Sequence, residues 1–400
     1  MKISLDGLMH RHVPETVWQV IPDARLVGGA VRDLILGRAS ADIDMASPYP
    51  PEEVACLFEE KGFSVIPTGL AHGTVTVMVD GHPCEITTLR RDVQTDGRHA
   101  RVAWTDDWAE DAARRDFTFN ALSCDRSGRV YDYFGGCSDL EAGIVRFAGD
   151  PAKRIEEDAL RILRFFRFFG RFGRQAPDTA TLSALRNGAG LLKNLSPERV
   201  WSEMKKILSG PQTARGVGMM AETGVLHAGF PEISVGGNRG TDLMNRALAC
   251  GIPDDPVLRF ALLTIPSGAV IAERLRLSRE EARRVIQLPQ TPALHPGSSR
   301  TDIIRALADY PLLALTDRSW LAQAESGGDQ DRGWDNLRER ISALPVPVFP
   351  LAGRDLVAAG VPPGPEIGQI LLRVRGWWLE EGCVPDREAC LTFLRQMITA

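Results

Sequence analysis

The spacing of apolar and polar residues changes near residue 150. Before that point, short apolar runs such as residues 75–79 and 130–134 end in turns that contain glycine or proline, which predicts β-strands. Residues 51–62 are predicted as a helix between strands. After residue 150 almost every segment has helical periodicity. The pattern therefore predicts the α+β class, with an N-terminal α+β domain followed by all-α domains.

Two helix-start signals mark the second part of the chain. Asp150 before Pro151, and Ser196 before Pro197, each combine a favoured N-cap residue with a favoured first-turn proline. Breaks rich in proline, glycine or polar residues follow at 286–300, 325–333 and 343–353. The predicted domains are 1–145, 146–210, 211–310 and 311–400.

Composition excludes several protein classes. The chain has 400 residues, 44% of them hydrophobic, and contains no apolar stretch long enough to predict a membrane span or a membrane partner. The N-terminus lacks an apolar segment, so no secretory signal is predicted. The seven cysteines are dispersed and form no Cys-x-x-Cys pair, which argues against structural zinc and fits reduced thiols. We expect a cytoplasmic protein, and the sequence does not indicate its oligomeric state.

Charge is unevenly distributed. The net charge of the chain is −5, yet residues 151–210 hold twelve basic and six acidic side chains. A local positive excess within a negative protein is a possible binding surface for a polyanion such as RNA. On charge alone, a solvated helix face explains it equally well.

The strongest candidate for chemistry lies near the N-terminus. Asp42 and Asp44 stand two residues apart, so on a strand they would face the same side and repel each other unless a cation lies between them. Upstream, Gly28 and Gly29 open a predicted helix whose free N–H groups suit phosphate. Arg32 follows on that helix. A metal beside phosphate is the requirement for nucleotidyl transfer.

A second polar segment covers residues 114–122. Thr118 and Asn120 alternate with Phe117 and Phe119 after Arg115 and Asp116, so one side is apolar and the other strongly polar. Such a polar side suits triphosphate and ribose, because arginine binds phosphate oxygens bidentately. A surface ion pair is the alternative. Glu85 is a third candidate carboxylate, and an exposed strand glutamate is its alternative interpretation.

Asp158 is unusual in a different way. On a continuous helix from Pro151 it would lie in the middle of an apolar face, where a lone carboxylate is costly unless it is paired or hydrogen-bonded. An Asp158–Arg161 pair at i, i+3 would neutralise it. Alternatively, both side chains face a ligand. The neighbouring phenylalanines are predicted to be core: Phe165, Phe166, Phe168 and Phe169.

These motifs resemble one family. The Gly28–Asp33 segment with Asp42-x-Asp44, the block at 114–122 and the block at 157–161 resemble the class II nucleotidyltransferases, which comprise CCA tRNA nucleotidyltransferases and bacterial poly(A) polymerases. Residues 68–75, which include His72, look like the CCA-adding branch. The resemblance implies a head with a small mixed β-sheet flanked by helices (1–145), a neck that selects the nucleobase (146–210), a body (211–310) and a tail that binds tRNA (311–400).

The resemblance also implies residue roles. Asp42 and Asp44 would hold Mg²⁺, with Glu85 as a third catalytic acid. The implied nucleotide-binding residues are Gly28, Gly29, Arg32, Arg115, Asp116, Asn120, Asp158, Arg161, Arg164 and Arg167. Residues 90–104 resemble a flexible loop used for terminal A addition, and residues 353–368 resemble a tail element that grips the tRNA elbow.

The base-selection role has a chemical rationale. A carboxylate accepts a hydrogen bond from an exocyclic amine, and an arginine donates to the neighbouring acceptor. Cytosine and adenine both present an amine beside an acceptor, whereas uracil and guanine place a carbonyl oxygen there. Asp158 and Arg161 could therefore accept C and A and reject U and G by leaving buried polar groups unpaired.

The sequence therefore predicts an enzyme that adds C and A to the 3′ end of tRNA, from CTP and ATP, with Mg²⁺. A poly(A) polymerase, or an enzyme that adds only CC or only A, is the nearest alternative. A non-catalytic RNA-binding protein is the alternative from a different class.

Overall fold

The computed structural model describes residues 1–70, 73–96, 99–236, 239–265, 267–327 and 330–399. His72 lies outside these residues, so the interpretation of residues 68–75 is only partly covered. Within the described ranges the strands are β1 Arg25–Val27, β2 Asp44–Ser47, β3 Ser64–Gly69, β4 Thr74–Val79, β5 His82–Thr88, β6 Arg90–Asp96, β7 His99–Trp104, β8 Ser123–Cys124 and β9 Val130–Tyr131.

Helices occupy most of the rest. They are α1 His12–Val20, α2 Gly29–Ile35, α3 Pro51–Glu59, α4 Trp108–Ala113, α5 Gly136–Ala142, α6 Pro151–Glu157, α7 Leu160–Phe172, α8 Thr179–Gly188, α9 Pro197–Leu208, α10 Thr213–Glu222, α11 Val225–Gly229, α12 Arg239–Ala249, α13 Pro256–Leu263, α14 Gly268–Arg274, α15 Arg279–Gln287, α16 Arg300–Asp309, α17 Leu312–Glu325, α18 Arg332–Ala343, α19 Gly353–Ala358, α20 Glu366–Glu380 and α21 Arg387–Thr399. Short 3₁₀ turns cover Thr118–Asn120, Ala189–Asn194, Pro231–Gly236 and Leu288–Gln290. The predicted α+β class is confirmed.

A mixed sheet forms the core of the N-terminal part. In the described residues it has seven strands in the order β3-β4-β5-β2-β1-β8-β9. Strands β2 and β5 pair in parallel, whereas the other neighbours are antiparallel. The parallel register sets Asp44 opposite Glu85. Two acids that are far apart in sequence therefore become neighbours at one end of the central strands.

Two local predictions need adjustment. Strand β9 ends at Tyr131, earlier than predicted, because the Asp132 carboxylate accepts hydrogen bonds from the N–H groups of Phe134, Gly136 and Cys137 and turns the chain. The 90–104 segment forms an antiparallel hairpin of β6 and β7. Residues 97 and 98 at its tip lie outside the described residues.

The predicted continuous helix through Asp158 is wrong. Helix α6 ends at Glu157, and Asp158 has an extended backbone with φ −153° and ψ 105°. Its carboxylate accepts a hydrogen bond from the N–H of Leu160, at the start of α7, over 3.1 Å. A carboxylate at a helix start satisfies a free N–H group and favours the new helix there. Asp158 therefore lies at a joint between two helices, outside the apolar face assigned to it.

The helix starts and aromatic core agree with the sequence. Asp150 caps α6 by accepting from the N–H of Ala152, whereas Ser196 occupies the N-cap position of α9 without a capping bond from its side chain. Phe165, Phe166, Phe168 and Phe169 of α7 are buried, and Phe165 stacks on Phe147 at 5.9 Å between ring centroids. This aromatic core joins α7 to the segment that carries the second motif, because Phe117 packs on Phe147 at 4.9 Å.

The chain forms two compact units, residues 1–231 and 232–400. The first contains the sheet and helices α1–α11. The second is helical and contains two apolar clusters, at 294–341 and 351–394. No helix in the described ranges is long and apolar enough to cross a membrane. The predicted domain boundaries at 145, 210 and 310 stay predictions.

Candidate active site

One cleft of about 590 Å³ in the first unit gathers twelve of the thirteen residues predicted from sequence. Glu85 lines an adjoining pocket of about 450 Å³, which shares Asp42 and Asp44 with the cleft. The residues lining the cleft are Gly28, Gly29, Arg32, Asp42, Asp44, Arg114, Arg115, Asp116, Asn120, Asp158, Leu160, Arg161, Arg164, Arg167, Phe168 and Arg199. Seven arginines and four aspartates give this surface a net positive charge.

The two acids of the first motif face solvent. Strand β2 begins at Asp44, and Asp42 lies just before it, with Ile43 buried between them. This alternation puts both carboxylates on the same side, as the sequence predicts. Among the described residues, neither carboxylate has a hydrogen-bond or ion-pair partner, so both are available to a ligand.

Electrostatics make this corner of the cleft receptive to a cation. Loss of hydration raises the pKa of Asp44, and the negative charges of Glu85 and Asp42 raise it further, while Arg115 opposes the effect. A raised carboxyl pKa means that the ionised form is disfavoured by its surroundings. A bound divalent cation would relieve that repulsion.

The turn before α2 has a backbone conformation that favours glycine. Gly28 has φ +67°, a conformation that side-chain-bearing residues rarely adopt. A Cβ at Gly28 would lie 3.4 Å from Nη1 of Arg115. The turn therefore exposes backbone to the cleft directly beside an arginine.

A chain of buried polar contacts joins α2 to α7. Arg32 is only 7% exposed, donates from Nη1 to Oδ1 of Asn120 at 2.8 Å, and is paired with Asp33. Asn120 donates to Oδ1 of Asp116 at 3.0 Å, and Arg164 of α7 donates from Nε to Oδ2 of Asp116 at 2.6 Å. Burial alone would raise the pKa of Asp116, but Arg164 and the hydrogen bonds hold it below the usual value. Arg32, Asp116, Asn120 and Arg164 therefore form one connected structure.

Arg114 and Arg115 have a shared anchor. Both guanidinium groups donate to the buried carboxylate of Asp111 in α4, with shortest distances of 2.7 Å and 3.1 Å. Burial alone would raise the pKa of Asp111, yet the two arginines outweigh it and lower the pKa. This anchor holds Arg115 at the edge of the glycine turn.

The pairing predicted for Asp158 is not formed. Its Oδ2 accepts from Nη2 of Arg199 in α9 at 2.7 Å. Arg161 instead donates to Glu157 at 2.6 Å and to the backbone oxygens of Arg154 and Arg114 at 3.0 Å and 2.9 Å. Because α6 ends before Asp158, the i, i+3 geometry of a continuous helix does not apply. Asp158 and Arg161 still line the same cleft.

Arg167 has a buried acidic partner. It contacts Glu203 of α9 at 3.0 Å, and Lys206 also donates to Glu203 at 3.0 Å. Loss of hydration lowers the pKa of Arg167 to about 10 even though Glu203 opposes the effect. Arg167 therefore helps fix α7 against α9 while lining the cleft.

Comparison with known proteins agrees with this geometry. Residues 24–146 match the family described as "Poly A polymerase head domain", and residues 176–235 match "Probable RNA and SrmB- binding site of polymerase A". Over 382 residues the chain is 34% identical to "CCA tRNA nucleotidyltransferase 1, mitochondrial" of Danio rerio, covering 94% of this chain and 87% of the relative. The chain belongs to the CCA-adding tRNA nucleotidyltransferase family.

Other CCA-adding enzymes support the assignment. The enzyme of Geobacillus stearothermophilus is 41% identical over 373 residues, covering 87% of each chain. The solved Bacillus stearothermophilus CCA-adding enzyme, in complex with CTP, aligns with a TM-score of 0.74 and 27% identity over 96% of this chain and 97% of that one. The sequence-based identification of the family, and of its CCA-adding branch, is confirmed. The chain is therefore a tRNA nucleotidyltransferase of the CCA-adding family.

Enzymes of the CCA-adding family generally depend on a divalent metal ion. In the described ranges, no group of three or more His, Cys, Asp or Glu side chains could hold a metal ion by itself. Mg²⁺ usually binds to one or two carboxylates together with substrate phosphates. The pair Asp42 and Asp44, beside an arginine-lined cleft, fits that mode of binding.

Sequence reasoning gave no site role to four residues that line the cleft: Arg114, Leu160, Phe168 and Arg199. Arg114 was included in a motif without a role, and Phe168 was assigned only to the core, where it is indeed 3% exposed. Arg199 was counted only as part of the basic region. Its pairing with Asp158 spans 41 residues, so the fold had to bring the two together. The only sequence signal for Arg199 was its place just after the helix start predicted at Ser196 and Pro197.

Proposed function

We propose that this enzyme completes the CCA end of tRNA without a template, using CTP and ATP and releasing pyrophosphate. One observation carries the proposal: Asp42 and Asp44, whose carboxylates have no ion-pair partner in the part of the chain that the structure describes, share a cleft with seven arginines. Carboxylates suit a divalent cation, and arginines suit a triphosphate. The adjoining neck supplies fixed polar groups for the base.

Mg²⁺ is the metal that we propose for the carboxylate corner, with Asp42 and Asp44 as its protein ligands. When bound, it would neutralise charge on the reacting phosphate and make the RNA 3′ hydroxyl more acidic. Glu85, opposite Asp44 in the parallel register, extends the negative field towards the second pocket. There it would orient the attacking hydroxyl.

The triphosphate would lie against the glycine turn. Gly28 and Gly29 leave the backbone open, and Arg115, held by Asp111, would contact phosphate oxygens. Arg32 is bound to Asp33 and Asn120, so its contribution is to add positive charge and to hold Asn120 in place. Asn120 and Asp116 would face the ribose.

Base selection is assigned to the helix joint. The carboxylate of Asp158 is fixed by the N–H of Leu160 on one oxygen and by Arg199 on the other. A carboxylate held in this way can accept a further hydrogen bond from the amine of cytosine or adenine, but repels a carbonyl oxygen. Arg161 borders the same part of the cleft and would donate to the neighbouring base acceptor. Arg164 and Arg167 would line the rest of the nucleotide path.

The base-selection proposal is tested with Asp158→Ala and each of the four NTPs. We expect the preference for CTP and ATP over UTP and GTP to fall by about tenfold or more, because one discriminating hydrogen bond is lost. Asp178→Ala is the matched control, since Asp178 caps α8 and does not line the cleft. An unchanged preference in Asp158→Ala would remove Asp158 from base selection.

The product separates the remaining alternatives. Sequencing the 3′ ends made on tRNA without its CCA end should show CCA and no further nucleotides. A long A tail would indicate a poly(A) polymerase, and products ending at CC or lengthened by A alone would indicate a partial enzyme. Pyrophosphate release with Mg²⁺ excludes a non-catalytic RNA-binding protein.

We further propose a cytoplasmic location. The support is that the seven cysteines are all free in the described structure, as expected in a reducing compartment. Cell fractionation with detection of the protein tests it; recovery in a membrane or organelle fraction would contradict it.

A further inference from the structure

The pocket beside Glu85 has a wall made of histidines. It measures about 450 Å³, and its lining includes His10 and His82 together with Asp42, Asp44 and Glu85. The rings of His10 and His82 stack with centroids 3.9 Å apart and an interplanar angle of 27°. His12 packs edge-on against His82 at 5.5 Å but does not line the pocket. Neither the sequence motifs nor the family comparison assigns a role to this pair.

The backbone holds this wall in place. His82 is the first residue of β5, directly after a two-residue turn in which Asp80 and Gly81 have φ +50° and +82°. Two consecutive positive φ angles are typical of the tight hairpin turns that match strand twist. His10 lies two residues before the start of α1, which packs on β5. Both rings are partly buried, so their position is set by the fold.

The position of the pocket indicates its ligand. The arginine-lined cleft and the histidine pocket share two residues, Asp42 and Asp44, so the two acids separate them. In nucleotidyl transfer the attacking and leaving oxygens lie roughly in line on opposite sides of the phosphorus. If the leaving pyrophosphate is held among the arginines, the attacking 3′ hydroxyl must approach from the other side of the acids. That side is the histidine pocket.

The histidine rings suit an RNA acceptor whose terminal nucleotide differs from one addition to the next. During successive additions the terminal nucleotide of the acceptor is first the residue that precedes CCA and then cytidine, so a fixed base-reading edge would fail at one of the steps. An aromatic ring face stacks on any base, because every base has a π-face.

We infer that the stacked pair His10–His82 forms a stacking wall for the 3′-terminal nucleotide of the RNA acceptor and so positions its hydroxyl beside Asp44 and Glu85. This inference rests on the proposed function, since it needs an RNA acceptor and a nucleotide in the arginine-lined cleft. His10 and His82 are positioning residues in this assignment. They take no part in proton transfer.

The test compares KM for tRNA with KM for CTP in the full-length enzyme. The double variant His10→Ala/His82→Ala should raise KM for tRNA by about tenfold, because one stacked base is lost, while KM for CTP changes less than about twofold. The variant His10→Phe/His82→Phe keeps ring faces and should retain a KM for tRNA near that of the wild type. His12→Ala is the matched control and should leave both constants unchanged.

A direct readout uses tRNA with 2-aminopurine as its 3′-terminal residue. Stacking quenches its fluorescence, so wild-type enzyme should quench it and the double alanine variant should not. Equal quenching and equal KM for tRNA in both proteins would overturn the inference, as would a Phe double variant that is as impaired as the Ala one. If wild-type enzyme incorporates no CMP or AMP at all, the proposed function fails instead, so the two failures are distinguishable.

Discussion

The acids of the cleft fall into two groups that differ in their partners. On the sheet side, Asp42 and Asp44 face solvent, and among the described residues no side chain pairs with either. On the opposite side, Asp116 and Asp158 are bound by arginines of α7 and α9 at 2.5 Å and 2.7 Å. Paired carboxylates hold helices and loops in position, whereas neighbouring carboxylates without partners repel each other until a cation binds between them. Whether an acid is paired with an arginine therefore distinguishes the acids that hold the site together from the acids that are available to a metal ion.

The largest effect is expected at the unpaired acids. Asp42→Asn or Asp44→Asn should lower the rate of nucleotide addition by ~10³-fold or more, because metal stabilisation contributes several kcal/mol and about 1.4 kcal/mol corresponds to tenfold. Single-turnover incorporation of CMP measures it. The melting temperature of Asp44→Asn should stay equal or rise, because the surroundings that raise the pKa of Asp44 disfavour its charge.

Asp23→Asn is the control for these variants, since Asp23 is exposed and outside both pockets. It should leave rate and stability unchanged. If Asp44→Asn unfolded at a clearly lower temperature than the wild type, Asp44 would be a structural acid, and the distinction between the two groups of acids would be wrong.

The paired acids should show the opposite behaviour. Asp116→Ala removes the partner of Arg164 and of Asn120, so it should lower the free energy of unfolding by about 3–5 kcal/mol, the range for breaking a buried ion pair. Urea unfolding of the variant and of Asp178→Ala measures the difference. A destabilisation of less than about 1 kcal/mol in Asp116→Ala would contradict the structural role.

The same pair predicts a pH dependence. Arg164 and the hydrogen bonds lower the pKa of Asp116 in the folded state, so its contribution to stability is fully present above the unfolded pKa of about 4. That contribution is lost as the pH falls through the lower, folded pKa. Asp116→Asn should therefore show a shallower loss of stability with acidification than the wild type. Parallel curves would place the acid sensitivity in other groups.

A smaller effect is expected at Arg199. Arg199→Ala leaves the Asp158 carboxylate held only by the N–H of Leu160, so its orientation becomes less defined. The preference for CTP and ATP over UTP and GTP should fall about fivefold to tenfold, with a smaller change in the rate on the correct nucleotides. Arg186→Ala, at an exposed position in α8, is the control. Equal selectivity in both variants would show that Asp158 needs no such support.

The smallest effect concerns the glycine turn. Gly28→Ala places a side chain at φ +67° and should lower the free energy of unfolding by about 1–2 kcal/mol. Gly190→Ala is the control, because Gly190 lacks a positive φ and has open space around its Cβ position. Similar unfolding midpoints for the two variants would mean that the turn relaxes without strain.

The sequence predicts the parts of this site that depend on short spacing. The alternation of Asp42, Ile43 and Asp44, the cap at Asp150 and the burial of Phe165 all follow from neighbours within a few residues. The family resemblance predicted that motifs far apart in sequence form one site, and the cleft contains these motifs. Local pattern was enough wherever one strand or one helix decides the geometry.

The sequence-based prediction failed where the apolar spacing indicates one continuous helix but the chain in fact begins a second helix. Apolar spacing around Asp158 favours one helix, but its carboxylate caps a new helix at Leu160, and this local hydrogen bond overrides the period. The partner of Asp158 was missed for a related reason. Arg199 and Asp158 meet because α7 and α9 pack together, which no spacing within either helix encodes.

The parallel pairing of β2 with β5 has a consequence for how activity is acquired. Parallel neighbours require a long crossover, here through α3, β3 and β4, before Asp44 can stand opposite Glu85. The β4–β5 hairpin joins residues close in sequence and can form early, whereas closure of this crossover waits on distant segments. The three acids Asp42, Asp44 and Glu85 therefore come together only once β2 and β5 have paired across this crossover, which makes the catalytic corner depend on a late, long-range step of folding.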